Sequence, residues 1–345
     1  MAELSRRKKI RCLIALITAM AVVSITSSLN WPILAEALRD QDYSETLIGI
    51  NAAAQFLGII IVAIGAPRII PKLGFFKAIL FGLLIVGIAM ATLPLFRQYE
   101  AWLMIRLVLG MGNALLFTAA DTWINQIVDD KVRGRWMGIY VTASMAGWAV
   151  GPLIGANVDP NTYWPFIWGL VAIFIAATVL MGTRKIDIKI TANQKSMTKD
   201  LLSVFVATPA ILLTAGMFGA LEGAVQSFAH LYTMDTLGDD YRQTGYAVIS
   251  VGAIAGIFLQ YPVGVLADKV DRMWLLIYTI LIFMICMISL PLTMLAATDF
   301  WWTLKGLLFW SIICIWGGST GAIFTVGITL VGQKFNGAGL ITANA

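Results

Sequence analysis

Charge is scarce in this chain. Only 12% of its 345 residues are Asp, Glu, Lys or Arg, and there is one histidine. A soluble domain of that length could not hide the apolar surface that remains, because charged and polar side chains cover a water-facing exterior. A single histidine argues against a His-based metal site. Neither a pair of catalytic aspartates nor a His-rich cluster occurs, so an intramembrane enzyme is not indicated. There is no Gly-rich loop ending in Lys-Ser or Lys-Thr, so ATP drive is not built in. The three cysteines, Cys12, Cys286 and Cys314, lie far apart in or beside apolar segments and read as small packing residues. No cofactor is implied.

What abounds is apolar sequence. Hydrophobic residues make up 59% of the chain, and the 31 glycines suit helices that pack closely in lipid. Ten apolar segments fall at about 12–36, 45–66, 76–96, 99–126, 136–157, 163–182, 203–232, 243–266, 273–296 and 300–332, each near the roughly 20 residues that cross a bilayer. The charged amino terminus followed by an apolar run resembles a signal peptide. However, the run from Cys12 to Leu38 is long and no clear cleavage site follows it, so it reads as the first span. The expected fold class is an all-α polytopic membrane protein of about ten spans.

The basic residues alternate. Arg6 to Arg11, Arg68 to Lys77, Lys131 to Arg135, Arg184 to Lys199, Lys269 with Arg272, and Lys334 stand on one set of links, while the other set holds only Arg39, Arg97, Arg242 and Lys305. This bias predicts a cytoplasmic amino terminus and cytoplasmic even-to-odd loops. It also explains the +5 net charge as an orientation signal, with no nucleic-acid partner. The longest polar link runs from Thr183 to Asp200. It suggests an amino-terminal bundle over 1–182, a cytoplasmic linker over 183–202 and a second bundle over 203–345. A faint echo relates the halves: Gly65-Ala-Pro-Arg68 with Pro71-Lys72-Leu-Gly74, and Gly264-Val-Leu-Ala-Asp268-Lys269-Val-Asp271-Arg272. Repeated halves are a common build for secondary transporters.

Three stretches carry a family resemblance. The Gly264 to Arg272 stretch resembles the loop signature of the major facilitator superfamily. Arg106-Leu-Val-Leu-Gly110-Met-Gly112 resembles its fourth-helix Arg motif, and Gly147-x-x-x-Gly151-Pro152-x-x-Gly155 the fifth-helix motif of its antiporters. The stretches Asp121 to Asn125 with Arg133 to Arg135, and Gln260-Tyr261-Pro262, are similar to a little-characterised bacterial branch of transporters. The resemblance implies two six-helix bundles and alternating access. It also implies residence in the bacterial cytoplasmic (inner) membrane. Pro71 stands where the first loop acid would fall, Asp271 replaces a glycine, and Leu109 replaces the usual Gln. The family pattern runs to twelve spans and this sequence stops at the start of an eleventh, so a chain truncated before spans 11–12 is expected, with the second bundle incomplete.

Polar groups inside apolar segments are the sharper signal, because they are costly in lipid and face a cavity or a partner. Arg106 reads as a cavity residue meeting an anionic or polar substrate or a carboxylate on another helix. Its alternative is a structural bond to backbone carbonyls. Asn113 is seven residues on and shares its face. Asn30, Gln55, Gln226 and Trp310 are further candidates for the substrate cavity. Glu222, Gln226 and His230 form a stripe at i, i+4 and i+8, and Glu222 is the first candidate for proton coupling. A cytoplasmic gate would use Gly264, Asp268 and Arg272, with Asp121 beside Arg68, Lys72 or Arg135. The alternative for Asp268 and Arg272 is that they only mark the interface. Gly147, Gly151 and Gly155 share one helical face for packing, and Pro152 can bend the helix. The function these residues suggest is proton-coupled export of small amphipathic molecules across the bilayer. The alternatives are a proton-coupled uptake symporter and a non-transporting membrane sensor or fragment.

Overall fold

The computed structural model describes residues 6–128, 133–184, 209–267, 269–295 and 303–334. Ten long helices run through them: α1 (Arg6–Arg39), α2 (Glu45–Leu73), α3 (Phe75–Thr92), α4 (Tyr99–Ile127), α5 (Arg133–Gly155), α6 (Trp164–Met181), α7 (Pro209–Leu237), α8 (Arg242–Ala267), α9 (Arg272–Thr293) and α10 (Leu304–Lys334). Each answers to one of the ten apolar segments. The described residues contain no strand. Among the described residues eight helical stretches are long and apolar enough to cross a membrane, and α5 carries a shorter apolar run, Ile139–Gly155. In lipid the backbone must satisfy its own hydrogen bonds, which is why the chain resolves into uninterrupted helices.

Boundaries differ from the sequence reading in instructive places. The basic cluster from Arg6 to Arg11 is part of α1, and Asp235, expected in a loop, lies in the last turns of α7. The α2–α3 connection shrinks to Gly74, whose φ of 82° turns the chain while its amide donates to the Ile70 carbonyl at 2.8 Å. The corresponding turn before α9 uses Asp271. Its side chain accepts from the amides of Met273 and Trp274 at 2.9 and 3.0 Å, an N-cap that accounts for an acid where the family pattern has glycine.

The helices group into two compact units, residues 1–147 with 158–197 and residues 148–157 with 198–344. In the first, α2 packs chiefly on α4, α3 on α4 and α6, and α1 on α6. At one end of this unit Arg97 donates to the Asn161 carbonyl at 2.6 Å, and the Asn161 amide donates to Asp40 at 2.6 Å, tying three loops together. In the second unit α10 packs on α8 and α9, and α7 on α8. Its apolar core gathers Phe283, Phe309, Ile313, Trp316 and Val326. Large apolar side chains point outward from many helices, among them Ile60, Phe81, Leu84, Phe174, Ile285 and Leu292. Exposed apolar surface on that scale needs lipid against it.

Candidate functional site

Glycines set the site in the first unit. A Cβ on Gly58 would strike the Leu107 carbonyl, and a Cβ on Gly110 would strike the Gln55 carbonyl. α2 and α4 therefore touch backbone to backbone in the turn that follows Arg106, an approach only glycine permits. The contact buries Arg106 to 1% exposure. Its Nε donates to Asn51 Oδ1 at 3.1 Å and its Nη1 to Gln55 Oε1 at 3.1 Å, while the guanidinium carbon lies 5.0 Å from the centre of the Trp31 ring on α1. Both acceptors are neutral amides. Among the described residues no acid pairs with this cation. The hydrogen-bond partners of Arg106 are side chains, not the backbone carbonyls of the alternative.

The other cavity candidates separate. Asn113 is buried on α4, and its Oδ1 has no hydrogen-bond partner among the described residues. Asn30 turns away towards α3, where its amide meets the Met90 sulfur at 2.9 Å. Trp31, its neighbour, takes the place beside Arg106 and tilts against Phe56 with ring centres 5.2 Å apart. Trp310 packs edge-on against Phe309, beside the apolar core of the second unit.

Further along α4, Asp121 accepts a short hydrogen bond from the Tyr140 hydroxyl on α5. Arg68 and Lys72 are exposed near the end of α2. Asp268 lies outside the described residues, and Arg135 and Gly264 are described only as positions on α5 and α8. Arg272 opens α9. Of the fifth-helix set, Gly147 sits directly on α1, where a Cβ would strike the Ala21 carbonyl, and its own carbonyl accepts from Ser28 Oγ at 3.3 Å. Gly151, Pro152 and Gly155 are buried, and α5 runs through Pro152 without a break. The carbonyls of Gly155 and Ala156 accept from Arg242 at 3.0 and 2.7 Å, a cation on the negative end of the helix.

In the second unit the α7 stripe is real and internally bonded. Gln226 donates to Glu222 Oε1 at 3.1 Å, while Glu222 Oε2, Gln226 Oε1 and Ser227 Oγ are buried without a partner among the described residues. His230 is 0% exposed and packs its ring 4.8 Å from that of Tyr246 on α8. A histidine at the bilayer interface is the commoner case, and this one is inside the protein.

The model of the Major Facilitator Superfamily matches residues 16–344. The chain belongs to that superfamily. It is 23% identical over 275 residues to the uncharacterised MFS-type transporter YfkF of Bacillus subtilis, covering 79% of this chain and 70% of that protein. It is 23% identical over 261 residues to the uncharacterised MFS-type transporter YcaD of Escherichia coli strain SE11, covering 73% of this chain. The chain spans 66% of the length of that relative. Among solved structures, a bacterial homologue of the human lysosomal transporter Spinster superimposes with a TM-score of 0.75 at 15% identity, over 98% of this chain and 78% of that one. A D-xylose-proton symporter superimposes with a TM-score of 0.71 at 14% identity, over 96% and 85%. These likenesses establish a two-bundle membrane fold in a family of transporters, not of enzymes.

Two partners in this geometry were not singled out from the sequence. Asn51 is one helical turn before Gln55, so a pair of amides on one face of an apolar helix was the available signal. Tyr140 offered none, because a tyrosine in an amphipathic setting is an ordinary bilayer anchor.

Proposed function

We propose that the protein is a secondary active transporter that moves a small molecule by alternating access, with the proton as coupling ion and export as the direction. The observation that carries this reading is Arg106, a cation almost wholly buried between neutral amides. A charge is expensive inside a membrane protein and is kept where it meets substrate or ion. Arg106, Gln55 and Asn113 are the core of the substrate site in the first unit, and Gln226 is the polar candidate on α7. Glu222 carries the proton. Asp121, with Tyr140 on it, belongs to a cytoplasmic gate in the first unit with Arg68, Lys72 and Arg135, and Gly264, Asp268 and Arg272 are the gate residues of the second half. The protein resides in the bacterial inner membrane with a cytoplasmic amino terminus, as the cation bias predicts.

Export is favoured by the fifth-helix glycines and Pro152. Uptake by proton symport is the second reading, favoured by the likeness to a D-xylose-proton symporter. Everted membrane vesicles separate the two. Vesicles containing the protein are energised to acidify their interior, read by the quenching of a pH dye, and challenged with anionic, neutral and cationic amphipathic compounds. Export predicts that at least one compound releases protons from these vesicles and not from vesicles carrying Glu222→Gln. Proton uptake with substrate into right-side-out vesicles alone would reverse the direction. Silence in both orientations would overturn the transporter reading.

A further inference from the structure

We infer that the Arg106 site takes a monocarboxylate, an organic anion of single charge with an apolar body. The inference names the substrate class of the site proposed above and rests on that reading.

The charge count comes first. Arg106 brings one positive charge into the interior of the first unit, and its partners Asn51, Gln55 and Trp31 bring none. A fully satisfied structural arginine is normally matched by an acid or by backbone carbonyls. Here the compensation is left open, and a neutral ligand would leave it open.

The donors come next. Asn51 is 0% exposed, and its Nδ2 has no hydrogen-bond partner among the described residues. Its Oδ1 is already held by Arg106 Nε at 3.1 Å, so the unbonded amide nitrogen belongs to a side chain that touches the guanidinium. Arg106 gives Nε to Asn51 and Nη1 to Gln55, and no described residue accepts from Nη2. An unsatisfied buried donor and a cation with no acid partner thus sit on two side chains in direct contact. A carboxylate supplies what both lack, two acceptor oxygens and one negative charge. A phosphate dianion would bring a second charge with no cation to meet it and more acceptors than these donors satisfy. A cationic ligand would meet like charge.

The body of the ligand follows from the walls. The Trp31 ring faces the guanidinium and tilts against Phe56, so an apolar group attached to the carboxylate meets aromatic surface rather than water.

Thermal unfolding of the purified protein in nanodiscs of zwitterionic lipid tests this, with acetate, benzoate and 1-naphthoate as probes. Benzamide and benzylammonium serve as neutral and cationic matches of benzoate. At least one carboxylate should raise the unfolding temperature saturably, and neither match should. Arg106→Gln should weaken that carboxylate about tenfold or more, the scale of a lost hydrogen bond to a charged group. Asn51→Asp should do the same while keeping Arg106, because it places a carboxylate of the protein on the guanidinium. No stabilisation by any of the three carboxylates, equal stabilisation by benzamide, or undiminished binding to Asn51→Asp would overturn the inference. Binding is read without any gradient. Its failure therefore condemns the anion site alone, and failure of the vesicle assay condemns coupled transport alone.

Discussion

The carbonyl oxygen of Gln55 occupies the space that a Cβ on Gly110 would need, and the side chain of the same Gln55 accepts a hydrogen bond from Arg106, one turn before Gly110. Packing and site thus meet in one residue. The second unit repeats the packing without the charge: a Cβ on Gly317 of α10 would strike the Gly252 carbonyl of α8. The second and fourth helices of each half are joined in the same way, as expected of repeated halves.

Gly110→Ala should destabilise the protein by about 1–3 kcal/mol, the usual cost of overpacking. The obstructing atom is backbone and cannot swing aside, so α2 and α4 must part. Gly65→Ala is the control, because its nearest obstacle is the flexible tip of Ile69 at 3.3 Å. Thermal unfolding in detergent should show a clear drop for the first and little change for the second. Equal stability of the two variants would mean that the helices are not in backbone contact.

Gln55→Leu should cost more stability than Arg106→Gln. The first leaves a buried guanidinium with one acceptor fewer, a loss of about 1–3 kcal/mol. The second removes a charge that has no acid partner and still offers a donor to the amides. The reverse order in a denaturation series would show that the cation is compensated by something other than Asn51 and Gln55.

Tyr140→Phe keeps the ring and removes the hydroxyl donated to Asp121. If this bond steadies a gate, the variant should remain folded and alter the rate of transport, by an amount of the order expected for a charge-assisted hydrogen bond of about 1.5–3 kcal/mol or less. Unchanged transport with lowered stability would make the bond purely structural.

Glu222→Gln preserves shape and removes the titrating group. It should abolish accumulation driven by a proton gradient while exchange of substrate at equilibrium survives. Full gradient-driven accumulation by the variant would rule Glu222 out and move attention to Asp121 and to Glu36, a buried carboxyl on α1.

Single cysteines at Lys195 and Asp239, in a background without Cys12, Cys286 and Cys314, should label from opposite faces of the membrane. The impermeant reagent should reach position 239 from outside intact cells and position 195 only after the membrane is opened. Labelling of both from outside would overturn the orientation.

The sequence alone determined the helices. With lipid as solvent, backbone groups have no partner but one another, so each apolar run of sufficient length becomes a helix. Its place could be read to within about two turns, from α1 to α10. The same physics marked Arg106, Gln55 and Glu222, since a polar group in an apolar run stands out by its cost. Tertiary structure alone decided who meets whom. Helical periodicity assigns a residue to a face but does not say which neighbour that face meets. Asn30 and Trp31 are adjacent in sequence, yet one goes to Met90 and the other to Arg106. Asn51 became a partner of Arg106 because Gly58 and Gly110 let α2 and α4 close to backbone contact, which fixes the distances over which side chains can reach.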